Sequence, residues 1–266
     1  MKVALMGDVH ANLPALEAVL EDARRKGVEM IWNVGDLVGY GAFPDEVVQL
    51  LQRENVQSIA GNYDLKVLEV KQKRDKWLNN KPPEKWVAFN WAYDNLSKPS
   101  RKYLGSLPEE MRVEIEGKRI LLVHGSPDSN EEHLKADTPD DRLSEIVRVA
   151  NADVVICGHS HQPFKRKVDS VWFINTGSVG RSDDGDPRAC YAVLQIKQPN
   201  LFQVRFYRVE YDVERAVSAI RERGLPETFA QMILQGRGLD TVQEKEKATD
   251  EARLEASLQL AKSCGY

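Results

Sequence analysis

The chain has 266 residues, enough for one large α/β domain or for a core with a small appendage. Hydrophobic residues make up 42% and charged residues 29%, as in a soluble globular protein that buries a real core. A net charge of −4 argues against broad binding to nucleic acid or membrane surfaces. A nucleotide substrate stays compatible, because a metal site supplies positive charge locally.

The opening MKVALMGDVH has a short apolar run that meets Asp8 and His10 too early for a signal peptide or membrane span. No later stretch approaches the roughly 20 apolar residues of a transmembrane helix. Lys2–Met6 is expected as a strand ending at Gly7-Asp8. Asn12 caps the next helix, with Pro14 in its first turn and Leu13, Leu16, Val19, Leu20 and Ala23 at helical spacing. Met30–Val34 is a second strand, ending at Gly35-Asp36. Asp45–Glu54 is a helix, and Val56–Ala60 a third strand closed by Gly61-Asn62. Residues 65–108 are expected to be helical, with Trp86, Phe89, Trp91 and Tyr93 packing the core.

Strand signals return at Arg112–Ile115 and Arg119–Val123 around the Glu116-Gly117 turn, then at Val154–Cys157, Val171–Ile174, Tyr191–Ile196 and Val204–Val209. Alternating βα units followed by a run of strands predict a layered α/β sandwich with a mixed sheet. After Tyr211 the composition shifts, and Val213–Arg223, Pro226–Leu234 and Thr241–Ala261 are expected as helices. This divides the chain into residues 1–211 and a helical appendage, 212–266, whose run Glu244–Lys247 is a solvated face. Cys157, Cys190 and Cys264 are odd in number and widely spaced, which points to reduced structural residues in a cytoplasmic protein.

The chemistry is concentrated at the strand ends. They read GDVH (7–10), GDLVGYG (35–41), GNYD (61–64), HGSP (124–127) and GHSH (158–161), and they hold four of the chain's five histidines. In open α/β sheets functional groups gather beyond the carboxyl ends of strands, so the five segments should converge. Hydrolysing a phosphate ester means bringing hydroxide to an anion that repels it. Two metals about 3.5–4 Å apart generate hydroxide at neutral pH and clamp the charged oxygens. Such a pair needs a bridging carboxylate and several neutral donors. Asp8, His10, Asp36, Asn62, His124, His159 and His161 fit that need, and their mixture of imidazole and oxygen suits Mn, Fe or Zn better than Mg.

The same ordered motifs resemble the calcineurin-like metallophosphoesterase superfamily, over residues 1 to about 210. The tail NTGSVGRSDDGDPRACYAVL (175–194) is similar to the closing segment of its small bacterial phosphoesterases. The resemblance implies an α/β/β/α sandwich of mixed sheets flanked by helices. It implies one metal on Asp8, His10, Asp36 and His161, and another on Asp36, Asn62, His124 and His159, with Asp36 bridging. It also implies in-line attack by a bridging hydroxide, with His124 and His159 shaping the site. Where the family usually has a His after GN, near the leaving group, this chain has Tyr63. Where the Ser/Thr phosphatase and diadenosine tetraphosphatase branches carry an Arg after GDxV, it has Tyr40. Relatives lacking that His resemble phosphodiesterases, which favours diesters or dinucleoside polyphosphates over monoesters. A catalytically silent scaffold is the rival reading.

Asp36, Asn62, His124 and Tyr63 are thus the expected catalytic set, in which Tyr63 contacts the leaving group or walls the pocket. With an ordinary pKa of about 10 it is a reluctant acid. His133, in DSNEEHL, is expected at the surface, and Asp64 behind the ligands. Arg181 is expected either on a phosphate or in an exposed ion pair. The expected partner is a small phosphate ester or nucleotide, with an oligomer left open.

Overall fold

The computed structural model describes residues 1–197, 201–245 and 248. The chain opens with β1 (Lys2–Met6), α1 (Leu13–Arg25), β2 (Met30–Asn33), α2 (Pro44–Arg53) and β3 (Gln57–Ser58). Three helices follow: α3 (Asn62–Asn80), α4 (Pro83–Asn95) and α5 (Lys98–Leu104). Next come β4 (Glu110–Ile115), β5 (Lys118–Val123), α6 (Asp140–Ala150), β6 (Val154–Cys157), β7 (Phe164–Val168) and β8 (Val171–Asn175). The long strands β9 (Ala189–Lys197) and β10 (Leu201–Val209) precede α7 (Val213–Glu222) and α8 (Glu227–Gln235).

The strands form two five-stranded mixed sheets, ordered β10-β9-β1-β2-β3 and β4-β5-β6-β8-β7. Alternation along each central strand builds the layers. Val3 and Leu5 of β1 face Ile120 and Leu122 of β5 and Val154 and Ile156 of β6 between the sheets. Ala4 and Met6 turn outward to Leu16 and Val19 of α1. On the far side, Leu121, Val155 and Cys157 pack under Leu143 and Ile146 of α6. The result is the expected α/β/β/α sandwich. Strands buried on both faces read as continuous apolar runs, which is why β1, β5 and β6 stood out in the sequence.

Differences from the expected elements have local causes. The third strand shrinks to two residues because only Gln57 and Ser58 pair with β2. The Ile59 amide still donates to Asn33 O at the end of β2, but the Ala60 amide donates to Pro108 O, turning the chain towards Gly61. α3 begins at once, at Asn62. Two elements had no expectation. α6 buries only Leu143, Ile146 and Ala150 of its 11 residues, and β7 is an edge strand, FKRKV, whose middle is charged. Asn12 caps α1 as expected, its Oδ1 accepting from Ala15 N at 3.2 Å. Cys157 and Cys190 are buried free thiols, while Cys264 and most of the expected helix Thr241–Ala261 lie outside the described residues.

Beyond β10 the chain packs back on the layer of α1 and α2. Ala216, Val217, Ile220, Phe229, Met232 and Ile233 join the same core cluster as Leu16 and Val47. Arg215 pairs with Glu17 at 2.6 Å and Arg223 with Glu46 at 3.3 Å. Helical backbone resumes over 239–245. Among the described residues no helix is long and apolar enough to cross a membrane.

Candidate metal centre

β1 runs parallel to β2, β2 to β3, and β5 to β6, so their carboxyl ends point the same way within each sheet. The two sheets bring these ends to one edge, where Asp8 and His10 meet His161, and Asp36 meets His124 and His159. Asp8, His10, Asp36, His159 and His161 all have positive φ, between 47° and 63°. Five non-glycine residues in this sparsely populated region mark a backbone held by its surroundings. Asp8 N donates to Gly35 O and His10 N to Asp36 O, both at 2.9 Å, while Gly180 N and Ser178 Oγ donate to Asp8 O.

The ligand-type atoms fall into two groups, Asp8–His10–His161 and Asp36–His124–His159, each with its atoms within 4.8 Å of one another. Asp36 Oδ2 lies between them, 3.6 Å from His10 Nε2 and 3.4 Å from His124 Nε2. His161 Nε2 is 3.1 Å from Asp8 Oδ1. The Nδ1–H groups of His10, His124 and His161 donate outward to the carbonyls of Val38, Val34 and Arg181, at 3.3, 2.8 and 2.6 Å. In the neutral rings this leaves the Nε2 lone pairs aimed inward, the tautomer a metal requires.

Ring nitrogens then face one another in pairs. His10 Nε2 is 3.2 Å from His161 Nε2, and His159 Nδ1 is 3.3 Å from His124 Nε2. One end of the Asn62 amide meets His124 Nε2, His159 Nδ1 and Asp36 Oδ2 at 3.1, 3.3 and 3.2 Å. With oxygen at that end, four acceptor-type atoms confront each other, and a proton on His124 or a bound cation reconciles them. With nitrogen there, the two N–H groups of the amide have these three acceptors within reach, and its oxygen turns to Lys66 Nζ. The donor set therefore fits divalent ions.

Burial resists charge throughout, and the pairings decide where it settles. Burial works against the Asp36 anion, but His124 and His10 pull its carboxyl down to about 2. Asp8 is likewise held below its ordinary value, chiefly by His161. Burial and then His124 press His159 down to about 4, and burial keeps His10 neutral. Burial also opposes the His124 imidazolium, yet Asp36 lifts it to about 9 in the metal-free chain. Two carboxylates and the neutral imidazoles of His10 and His159 stand ready, and a bound metal would displace the His124 proton.

A second set of groups holds the loops. Asp64 accepts from the Leu37, Val38 and Gly61 amides at 2.9, 3.2 and 2.9 Å, tying the turn after β2 to the start of α3. Tyr63 N, in the first turn of α3, donates to Asp36 Oδ1 at 2.7 Å, placing that carboxylate at the positive end of the helix. Gly61 leaves this approach open, since a Cβ there would lie 2.2 Å from both Asp36 N and Oδ1.

The centre opens on a cleft of about 350 Å³, lined in part by Asp36, Asn62, Tyr63, His159 and His161. Tyr63 stands edge-on to His10, with its hydroxyl 2.5 Å from that of Tyr40. Burial, then Tyr40, push the Tyr63 phenol well above its ordinary value. Arg181 has no carboxylate partner among the described residues, so the exposed ion pair is not formed. Its guanidinium lies 4.7 Å over the Tyr40 ring, with a buried Nε that has no acceptor. His133 is exposed as expected, but its ring also lies against His159 at 4.3 Å and lines the cleft. Lys66, Lys81, Lys85, Phe89, Glu131, Asp183, Leu239 and Asp240 complete the lining and went unnoticed in the sequence as site residues. Only Lys66 carried a signal, one helical turn after Asn62.

A family model described as the calcineurin-like phosphoesterase superfamily domain matches residues 1–199. An uncharacterised protein of Methanocaldococcus jannaschii is 34% identical over 252 residues, covering 88% of this chain and 98% of its own. Phosphodiesterase YfcE of Escherichia coli is 24% identical over 197 residues, 73% of this chain and 87% of that one. The crystal structure of a metallophosphoesterase from Sphaerobacter thermophilus aligns with a TM-score of 0.74 at 32% identity, over 89% of this chain and 99% of that one.

Proposed function

The chain belongs to the calcineurin-like phosphoesterase superfamily and is a metal-dependent phosphoesterase; from that premise we propose that it hydrolyses phosphodiesters or dinucleoside polyphosphates at a two-metal centre. Asp8, His10, Asp36 and His161 would hold one ion, and Asp36, Asn62, His124 and His159 the other. Mn is the ion we favour, with Fe or Zn also suited to this donor set. The observation that carries the reading is Asp36 Oδ2, within 3.6 Å of His10 Nε2 and 3.4 Å of His124 Nε2, one from each triad. When bound, the ions supply a water that ionises near neutral pH and positive charge for the phosphate oxygens.

The chain's own residues do the remaining work. Arg181, with an unused buried Nε, donates to a non-bridging phosphate oxygen. Asp64 keeps Asp36 and Asn62 in register through the Leu37 and Gly61 amides. Tyr63, engaged by Tyr40, walls the pocket and gives no proton, so leaving groups that depart without help are preferred. This favours phosphate anhydrides and aryl esters over alkyl esters, and the relative named a phosphodiesterase supports a diester substrate. Residues 1–211 carry the chemistry, and the segment after them shapes the cleft through Leu239 and Asp240.

The test is turnover of bis-nitrophenyl phosphate by metal-free chain and by chain loaded with Mn. Activity restored by Mn supports the reading. Stoichiometric metal binding without turnover would establish the silent scaffold instead.

A further inference from the structure

The cleft is lined by four cationic side chains, Arg181, Lys66, Lys81 and Lys85, and by the carboxylates of Asp36, Glu131, Asp183 and Asp240, and its three lysines are gathered on one wall. Arg181 stands on the Tyr40 side, and Lys66, Lys81 and Lys85 line the wall formed by α3 and α4. Lys66 Nζ lies 3.2 Å from the outer end of the Asn62 amide and pairs with Glu131. Lys81, just past the end of α3, and Lys85, in the first turn of α4, are half-buried. Neither has a carboxylate partner among the described residues. Phe89 ties them to the metal centre: its ring is 4.9 Å from that of Tyr63 and 5.5 Å from Lys81 Nζ.

Such an arrangement is unfavourable by itself. Burial, then the neighbouring Lys66, hold the Lys81 ammonium below its ordinary value, and Lys85 adds to the repulsion. Trp77, 4.7 Å from Lys81 Nζ, orients that ammonium but does not neutralise it. Three ammonium groups with one glutamate among them, beside a site for phosphate, lack only an anion. Lysine meets phosphate as a mobile point charge, which suits a flexible chain of phosphates better than a fixed fork would.

We propose that Lys66, Lys81 and Lys85 form a second anion subsite for phosphates adjoining the scissile one. The preferred substrates are then small molecules bridged by a polyphosphate chain, ahead of diesters with neutral arms. The scissile phosphorus lies at Asp36 and Arg181, and its neighbours run along α3 and α4. This rests on the hydrolytic reading for the choice of substrate, but the anion subsite is independent of it.

The experiment uses the full chain and the double variant Lys81→Gln/Lys85→Gln, with Lys118→Gln at the exposed start of β5 as control. Inorganic tripolyphosphate is titrated calorimetrically into each protein in EDTA. We expect the double variant to bind about tenfold more weakly, a moderate loss for two partly screened charges, and the control to bind as the wild type does. In Mn-loaded protein, the ratio of kcat/KM for diadenosine tetraphosphate to that for bis-nitrophenyl phosphate should fall by a similar factor, mostly through KM. Equal tripolyphosphate binding in wild type and double variant, or none in wild type, would overturn the proposal. An unchanged substrate ratio would overturn the substrate preference. Weakened tripolyphosphate binding in the variant of a chain that hydrolyses neither ester would refute the hydrolytic reading and leave the subsite standing.

Discussion

Gly61→Ala is the sharpest test of how tightly the centre is built. Gly61 has φ −87° and ψ 172°, extended backbone that alanine adopts without strain. Conformation alone would therefore make the change neutral or stabilising, by about 0.4–1 kcal/mol. Contact predicts the opposite. The new Cβ would sit 2.2 Å from Asp36 N and Oδ1, where ordinary contacts begin at 3.4 Å. Relief needs about 1.2 Å of movement, the difference of those two distances, in the carboxylate placed between the metals. Overpacking of this kind costs roughly 1–3 kcal/mol, a fall in Tm of about 2–12 °C for a chain of this size. Metal ligands tolerate only about 0.2 Å, and a 1 Å misplacement costs on the order of 10²-fold in rate. Metal analysis, a thermal melt and bis-nitrophenyl phosphate turnover read all three effects. A Gly61→Ala protein with both metals, full turnover and an unchanged or raised Tm would refute the reasoning.

Other expectations follow from the same geometry. Asp36→Asn removes the shared carboxylate and should abolish activity and lower the content of both ions, measured by elemental analysis. Tyr63→His frees the position from Tyr40 and offers a group that titrates near neutrality. The ratio of kcat/KM for alkyl over aryl phosphate esters should rise, by up to about 10²-fold, in fully metallated protein. In the metal-free chain His124 is lifted from 6.5 to about 9, so its stabilising pairing with Asp36 is whole below pH 6.5 and lost as pH rises through about 9. The Tm gap between metal-free wild type and His124→Gln should accordingly narrow across that range. A gap that widened would contradict the assigned pairing.

What the sequence revealed followed from where its chemistry lies. The ligand-type residues sit directly after apolar runs, next to glycines that let the chain turn, so strand ends and site are marked by the same few letters. Parallel pairing within each sheet, and the stacking of the two sheets, then converge residues as distant as Asp8 and His161. β7 was invisible because an edge strand with Lys165, Arg166 and Lys167 at its middle reads as a polar loop. α6 was missed because its buried stripe is only Leu143, Ile146 and Ala150. The cleft beyond the ligands was illegible for another reason. Lys81, Lys85 and Phe89 reach it only through the packing of α3 against α4, and Leu239 and Asp240 through the return of the chain after α8. No local spacing encodes either approach. His133 likewise looked like an ordinary loop residue until the fold set its ring against His159.

The central claim is that Asp36 is shared by two metal ions. Crystals of the full chain grown with Mn and measured for anomalous scattering test it directly. The account predicts two peaks about 3.5–4 Å apart, one bounded by Asp8, His10 and His161, the other by Asn62, His124 and His159, with Asp36 reaching both. A single peak, or two peaks of which Asp36 touches only one, would contradict it.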